Sequence, residues 1–204
     1  MMKGSNLPRL AAGLVIVSAA AVLAGCASPE ARYYTLSPAA EARPAAVPVT
    51  GQAPEPVWIE VAPVRVPERV NRVNLVLSNS SGRLKLLQQD RWSASLPDEF
   101  RDALSQRLQV SLGAVDTYQH GRPGAEPLYR VSAEVVQIDA AIDERVSAIV
   151  HWTVHRLPDG KVTVGYTRAE LAAAGGVDGV VAAYQQVVIN TAADIAAAVR
   201  SLRS

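Results

Sequence analysis

Apolar residues recur along this chain in two periods, and the switches between them mark out its elements. Val57, Ile59 and Val61 alternate with Trp58 and Glu60, which predicts a strand ending near Pro63. Leu75–Ser78 and Leu84–Gln88 flank the turn sequence Asn79-Ser80-Ser81-Gly82, so a hairpin is expected there. At Leu96-Pro97-Asp98-Glu99 the period becomes helical. Proline and acids favour a first turn, Phe100, Leu104, Leu108 and Leu112 recur every four residues, and Gly113 ends the run. Val115–Tyr118 reads as a short strand. Beyond a Gly/Pro loop at Gly121–Pro127, Tyr129, Val131, Ala133 and Val135 alternate with polar residues. Val136 and Ile138 then carry the apolar phase onto the other face, which suggests a bulge. Val146, Ala148, Val150, Trp152 and Val154 form the cleanest alternation, and Pro158-Asp159-Gly160 turns it back into Val162, Val164 and Tyr166. The final pattern, from about Val177 to Leu202, is a broad helical stripe of Val180, Val181, Tyr184, Val187, Val188, Ile195, Val199 and Leu202.

Strands, a helix, more antiparallel strands and a last helix define an α+β class. The expected architecture is a compact two-layer sandwich, a mostly antiparallel sheet with both helices on one face. The last stripe is wide for a helix covering one side of a small sheet, and Ala192, Ala193, Ala196, Ala197 and Ala198 flank it. From that width we expect a homo-oligomer of cyclic form.

The segment ahead of this domain has a different pattern. Lys3 and Arg9 precede an apolar run from Leu10 to Ala24, and Leu23-Ala24-Gly25-Cys26 closes it. That is the build of a secretory signal, with residues 1–25 removed, and a Cys after Leu-Ala-Gly is a bacterial lipobox. The run is shorter than the roughly 20 residues of a spanning helix. Cys26 is the only cysteine of the 204 residues, so no disulfide is available and a lipid attachment explains its thiol best. Each buried acyl CH₂ contributes about 0.8 kcal/mol, so two or three chains on Cys26 would anchor it durably. Ala27 stands where Asp would signal inner-membrane retention, which points to the outer membrane, facing the periplasm.

Pro29, Pro38, Pro44, Pro48, Pro54 and Pro56 among many alanines make residues 26–56 a tether of extended chain, spanning at most roughly 90 Å. Arg32-Tyr33-Tyr34-Thr35-Leu36 is out of character there and is expected to dock as a strand near residues 32–36, leaving an excursion before the domain at 57–204. Losing Lys3 and Arg9 takes the formal charge from +1 to about −1, which offers no electrostatic footprint for nucleic acid.

Catalytic constellations are thin. His151 and His155 share a strand face roughly 13 Å apart, too far to hold one metal, and His120 sits alone in a loop. No nucleophile elbow, P-loop or dinucleotide fingerprint occurs. Asp139, Asp143 and Glu144 read as solvated turn acids. Neither enzyme chemistry, a cofactor nor a metal is expected.

Ordinary residues in a particular order carry more. Arg32-Tyr33-Tyr34-Thr35-Leu36 soon after the lipobox, Val61-Ala62-Pro63-Val64-Arg65-Val66-Pro67, Asn71-Arg72 before Leu75, and Asp90-Arg91-Trp92 then Leu96 together resemble the PqiC-type, or ABC-type transport auxiliary, lipoproteins. Ser93 stands where that pattern has Ala. The resemblance implies an accessory subunit of an MCE-type intermembrane lipid transport system, docking or receiving its periplasmic tunnel at the outer membrane, and no catalytic residues. An outer-membrane regulator of peptidoglycan machinery is the alternative. The motif residues Tyr33, Tyr34, Leu36, Pro63, Pro67, Arg72, Trp92 and Leu96 read as structural. Trp92 is expected under the hairpin, Pro63 and Pro67 at a strand end, and Arg72 in a buried ion pair or, second, an oligomer contact.

Overall fold

The computed structural model describes residues 30–37, 56–79, 81–118, 121 and 128–203. The signal segment, Cys26, most of the tether, His120 and the Gly/Pro loop beyond Gly121 lie outside the described residues. Eight strands and two helices follow in chain order: β1 (Arg32–Tyr34), β2 (Val57–Val61), β3 (Asn74–Ser78), β4 (Leu84–Trp92), α1 (Leu96–Leu112), β5 (Ala114–Asp116), β6 (Leu128–Ala141), β7 (Arg145–Leu157), β8 (Val162–Ala172) and α2 (Gly176–Arg203). The α+β class holds. Arg32–Tyr34 docks as a strand, and the hairpin, both helices and the long β6–β7–β8 meander stand where the periodicity puts them.

The sheets differ from expectation. There are two, ordered β1-β4-β3 and β5-β2-β6-β7-β8. Half the ladders are parallel, namely β1 with β4, β2 with β5 and β2 with β6, so the arrangement is mixed rather than mostly antiparallel. The cause is connectivity. β3, β4 and α1 intervene between β2 and β5, and a crossover of that length returns the chain in the same direction. Alternation of side chains reports faces, not strand direction.

Both helices pack side by side against the five-stranded sheet, α1 over β2 and β5, α2 over β7 and β8. Ser95 caps α1 at its N-terminus by accepting from the Asp98 amide, and Gly113 ends it in a left-handed conformation at φ 60°. Phe100, Leu104 and Leu108 meet Ile59, Val61, Val131, Val150 and Val154 in one core. Burying each such side chain contributes about 1.5–3 kcal/mol.

Two local readings are corrected, and the phase of β8, which its alternation left open, is set. The bulge lies between Val135 and Gln137, but Val136 is its extra residue and is exposed, while Ile138 and Ala140 return to the core face. The bulge therefore preserves the buried face instead of changing it. In β8 the apolar alternation is present with outward phase: Thr167 and Ala169 are buried, whereas Val162, Val164 and Tyr166 are exposed. Trp152 decides this, because its ring lies over Gly165, where an added Cβ would sit 2.3 Å from it. Finally, Val180, Val181, Tyr184, Val187, Val188, Ile195 and Val199 of α2 are all buried within the one chain, so the width of that stripe is no argument for self-association.

Candidate functional site

Five of the family-pattern residues, Tyr33, Tyr34, Leu36, Trp92 and Leu96, converge at one junction. β1 runs beside the end of β4 with Tyr33 opposite Arg91 and Tyr34 opposite Trp92. Just beyond β1, Leu36 is buried, as are Trp92 and Leu96. Trp92 packs on Tyr184 of α2, ring centroids 5.4 Å apart, so the second helix supplies its aromatic partner. Burial of a large ring in each direction gives this Val/Ala-rich core its bulk.

Glu99 organises the junction. Its carboxylate, in the first turn of α1, accepts from the Thr35 hydroxyl and the Leu36 amide, both at 2.8 Å, from the Ala94 amide at 3.2 Å and from the Ser93 hydroxyl. A charge there also faces the positive end of the helix dipole. Gln185 of α2 donates to the Thr35 carbonyl at 3.0 Å, and Arg32 pairs with Asp90 at 2.6 Å. Tyr34 donates to Asp90 at 3.3 Å, and its phenol is pushed up to about 12, first by burial, then by the Asp178 carboxylate.

The other motif positions lie apart from this junction. Pro63 follows β2 on the surface, and Pro67 opens a turn whose carbonyl accepts from the Val70 amide at 3.0 Å. Strand pairing nevertheless continues past Pro63, since the Val135 amide donates to the Arg65 carbonyl at 2.8 Å. Arg72 is exposed, which corrects its reading as a buried ion-pair partner. The buried guanidinium is that of Arg101 instead. It pairs with Asp116, donates to the Val61 carbonyl at 3.2 Å and lies 4.8 Å over the Tyr118 ring, while Ser105 donates to Asp116 at 2.6 Å. This network fastens α1 to β2 and β5, and a helical Arg followed fifteen positions on by a strand Asp gave no periodic signal in the sequence.

His151 and His155 stand exposed on the sheet face away from the helices, opposite Glu134 and Arg130. His151 meets Tyr166 edge-on, centroids 6.4 Å apart. With Val164, Thr153, Pro63 and Arg65, His151 and Tyr166 line an open trough of about 580 Å³. No group of three metal-ligating side chains forms among the described residues. Asp139 pairs with Arg69 at 3.2 Å, and Asp143 accepts from the amides of Gly175 and Gly176, at 3.1 and 2.7 Å, where α2 begins. These turn acids hold structure in place.

The fold recurs among solved structures. One crystal structure, of an uncharacterized protein, superposes with a TM-score of 0.64 at 19% identity, covering 84% of this chain and 99% of the other. Another, protein XCC0632 from Xanthomonas campestris, gives 0.51 at 11% identity over 69% of this chain and 82% of its own. A comparison with curated proteins finds no match. Residues 34–196 match the family model of the ABC-type transport auxiliary lipoprotein component. The chain belongs to that family, whose members are lipoproteins serving a transport system, and the matched span begins at Tyr34, within the strand that Glu99 secures.

Proposed function

We propose that this protein is a non-catalytic accessory subunit of an MCE-type intermembrane lipid transport system. Acyl chains on Cys26 hold it on the inner leaflet of the outer membrane, and its folded domain docks or receives the periplasmic tunnel. The family match over residues 34–196 carries this reading. The lipobox Leu23-Ala24-Gly25-Cys26 ahead of it supports the anchor, and Ala27 in place of Asp supports the outer membrane.

Affinity capture of the detergent-solubilised full chain tests the role. Recovery of an MCE-type ring protein is the expected result, whereas recovery of a peptidoglycan synthase would replace the proposal with a regulatory one. The anchor has its own test. The Cys26→Ser chain should lose palmitate labelling altogether, and persistent labelling would remove the lipoprotein reading.

A further inference from the structure

β1 fixes the side on which the chain meets its lipid anchor. It pairs parallel with the end of β4, Arg32 opposite Asp90, so the chain enters β1 from the side on which β4 begins. The β3–β4 hairpin occupies that side, its turn lying between Ser78 and Leu84. Leu84 stands six residues before Asp90, and Cys26 stands six residues before Arg32. Chain at full stretch advances hardly further per residue than a strand does. A lipid on Cys26 therefore reaches no further outward from Arg32 than about the level of the hairpin turn.

The composition of the hairpin suits that level. No Asp or Glu occurs between Glu68 and Asp90. Arg83 and Lys85 are exposed, and neither forms an ion pair among the described residues. Leu84 and Leu86 alternate with them and are 39% and 40% exposed. Of the acids closest in register, Asp90 is already held by Arg32 at 2.6 Å, and Glu30 precedes β1 level with Gln88, behind the turn. The mature chain is close to neutral as a whole, so this cationic tip is a local feature. Basic side chains beside half-exposed leucines match a bilayer boundary, where charges stay with headgroups and apolar stems lie below them.

We propose that the hairpin from Ser81 to Leu86 docks on the bilayer that carries the Cys26 lipid, with Arg83 and Lys85 against anionic phospholipid headgroups and Leu84 and Leu86 at the acyl boundary. The inference rests on the anchor at Cys26, because the anchor is what brings a bilayer to the level of this turn. A soluble acidic partner would have to enter the same narrow gap. Two cations and two leucines bind a membrane only weakly by themselves, but the anchor makes their docking intramolecular. What the second contact supplies is orientation. Held at both points, the domain turns the opposite end of β4, at Ser93–Ser95, away from the membrane.

Tryptophan quenching in the full chain, purified from membranes and reconstituted, tests the docking. The vesicles contain phosphatidylethanolamine and phosphatidylglycerol with brominated acyl chains, which quench an indole only on contact. The native Trp58, Trp92 and Trp152 are all buried. The added emission of Leu84→Trp should be quenched, whereas that of Ala94→Trp, exposed just past the other end of β4, should not. Placing Arg83→Ser/Lys85→Ser in the Leu84→Trp chain should lower the docked-to-undocked ratio about twenty-fold, since each cation near an anionic surface contributes a factor of about five. Replacing phosphatidylglycerol with phosphatidylcholine should lower it similarly. An unquenched Leu84→Trp, equal quenching of Ala94→Trp, or quenching indifferent to the two serines would each overturn the proposal. The mass of the N-terminal peptide reads the anchor separately. An unacylated Cys26 removes the anchor and this geometry with it, whereas an acylated chain with an unquenched Leu84→Trp removes the hairpin docking alone.

Discussion

Glu99 shows how much one side chain can decide. It gathers a hydroxyl and an amide from the segment after β1 and another hydroxyl and amide from the segment after β4, and it is buried while doing so. Removing it leaves those donors facing one another around a void. Glu99→Ala should cost about 3 kcal/mol in the urea midpoint, and the Leu36 amide should lose its protection against hydrogen exchange before the core amides do. Asp116→Ala is expected to be comparably damaging, about 3–5 kcal/mol by the same measurement, because it strands the buried Arg101 guanidinium. Gly165 acts through space rather than charge. A methyl group there must displace the Trp152 ring, whose Nε1 donates to Thr167 at 3.2 Å, so Gly165→Ala should cost about 1–3 kcal/mol and change the tryptophan emission.

At the scale of elements, β6 gives the sharpest prediction. Because Val136 is the unpaired residue of the bulge, deleting it joins Val135 to Gln137 in a regular ladder and leaves Ile138 facing the core. The deletion should lower stability by no more than about 2 kcal/mol, whereas deleting Ser132 inverts every preceding or following side chain and should prevent folding, as urea titration would report. Both helices and the meander were legible in the sequence because their apolar spacing has one dominant period. Phe100, Leu104 and Leu108 point to the core that they enter. What stayed hidden depends on partners distant in the chain. Nothing about Val57–Val61 distinguishes a parallel neighbour from an antiparallel one, and the outward phase of Val162, Val164 and Tyr166 is dictated by Trp152 on another strand. At the junction the motif residues were recognisable, but Glu99 read only as a first-turn acid, and its ligands come from positions 35, 36, 93 and 94.

For the molecule as a whole, two phenols, Tyr34 on β1 and Tyr184 on α2, titrate only in alkali. Burial raises the Tyr184 pKa above its ordinary 10.0, and Tyr34 is pushed up to about 12. Folding thus favours both neutral phenols. Their contribution is complete below pH 10 and is lost as pH rises from there through about 12, so the urea midpoint should fall across that window. Tyr184→Phe should flatten the fall. The docking of β1 has a further consequence, for distance. With β1 held by β4 and Glu99, the Ala/Pro-rich run from 38 to 55 joins Ser37 to Pro56, two positions of the same folded unit, and so adds nothing to the separation of domain and membrane. With a lipid on Cys26, the working leash is only the stretch from Cys26 to Arg32, at most roughly 20 Å when fully extended. The domain would then ride close against the bilayer, and lengthening residues 27–31, rather than the longer proline-rich run, is what would let it stand off.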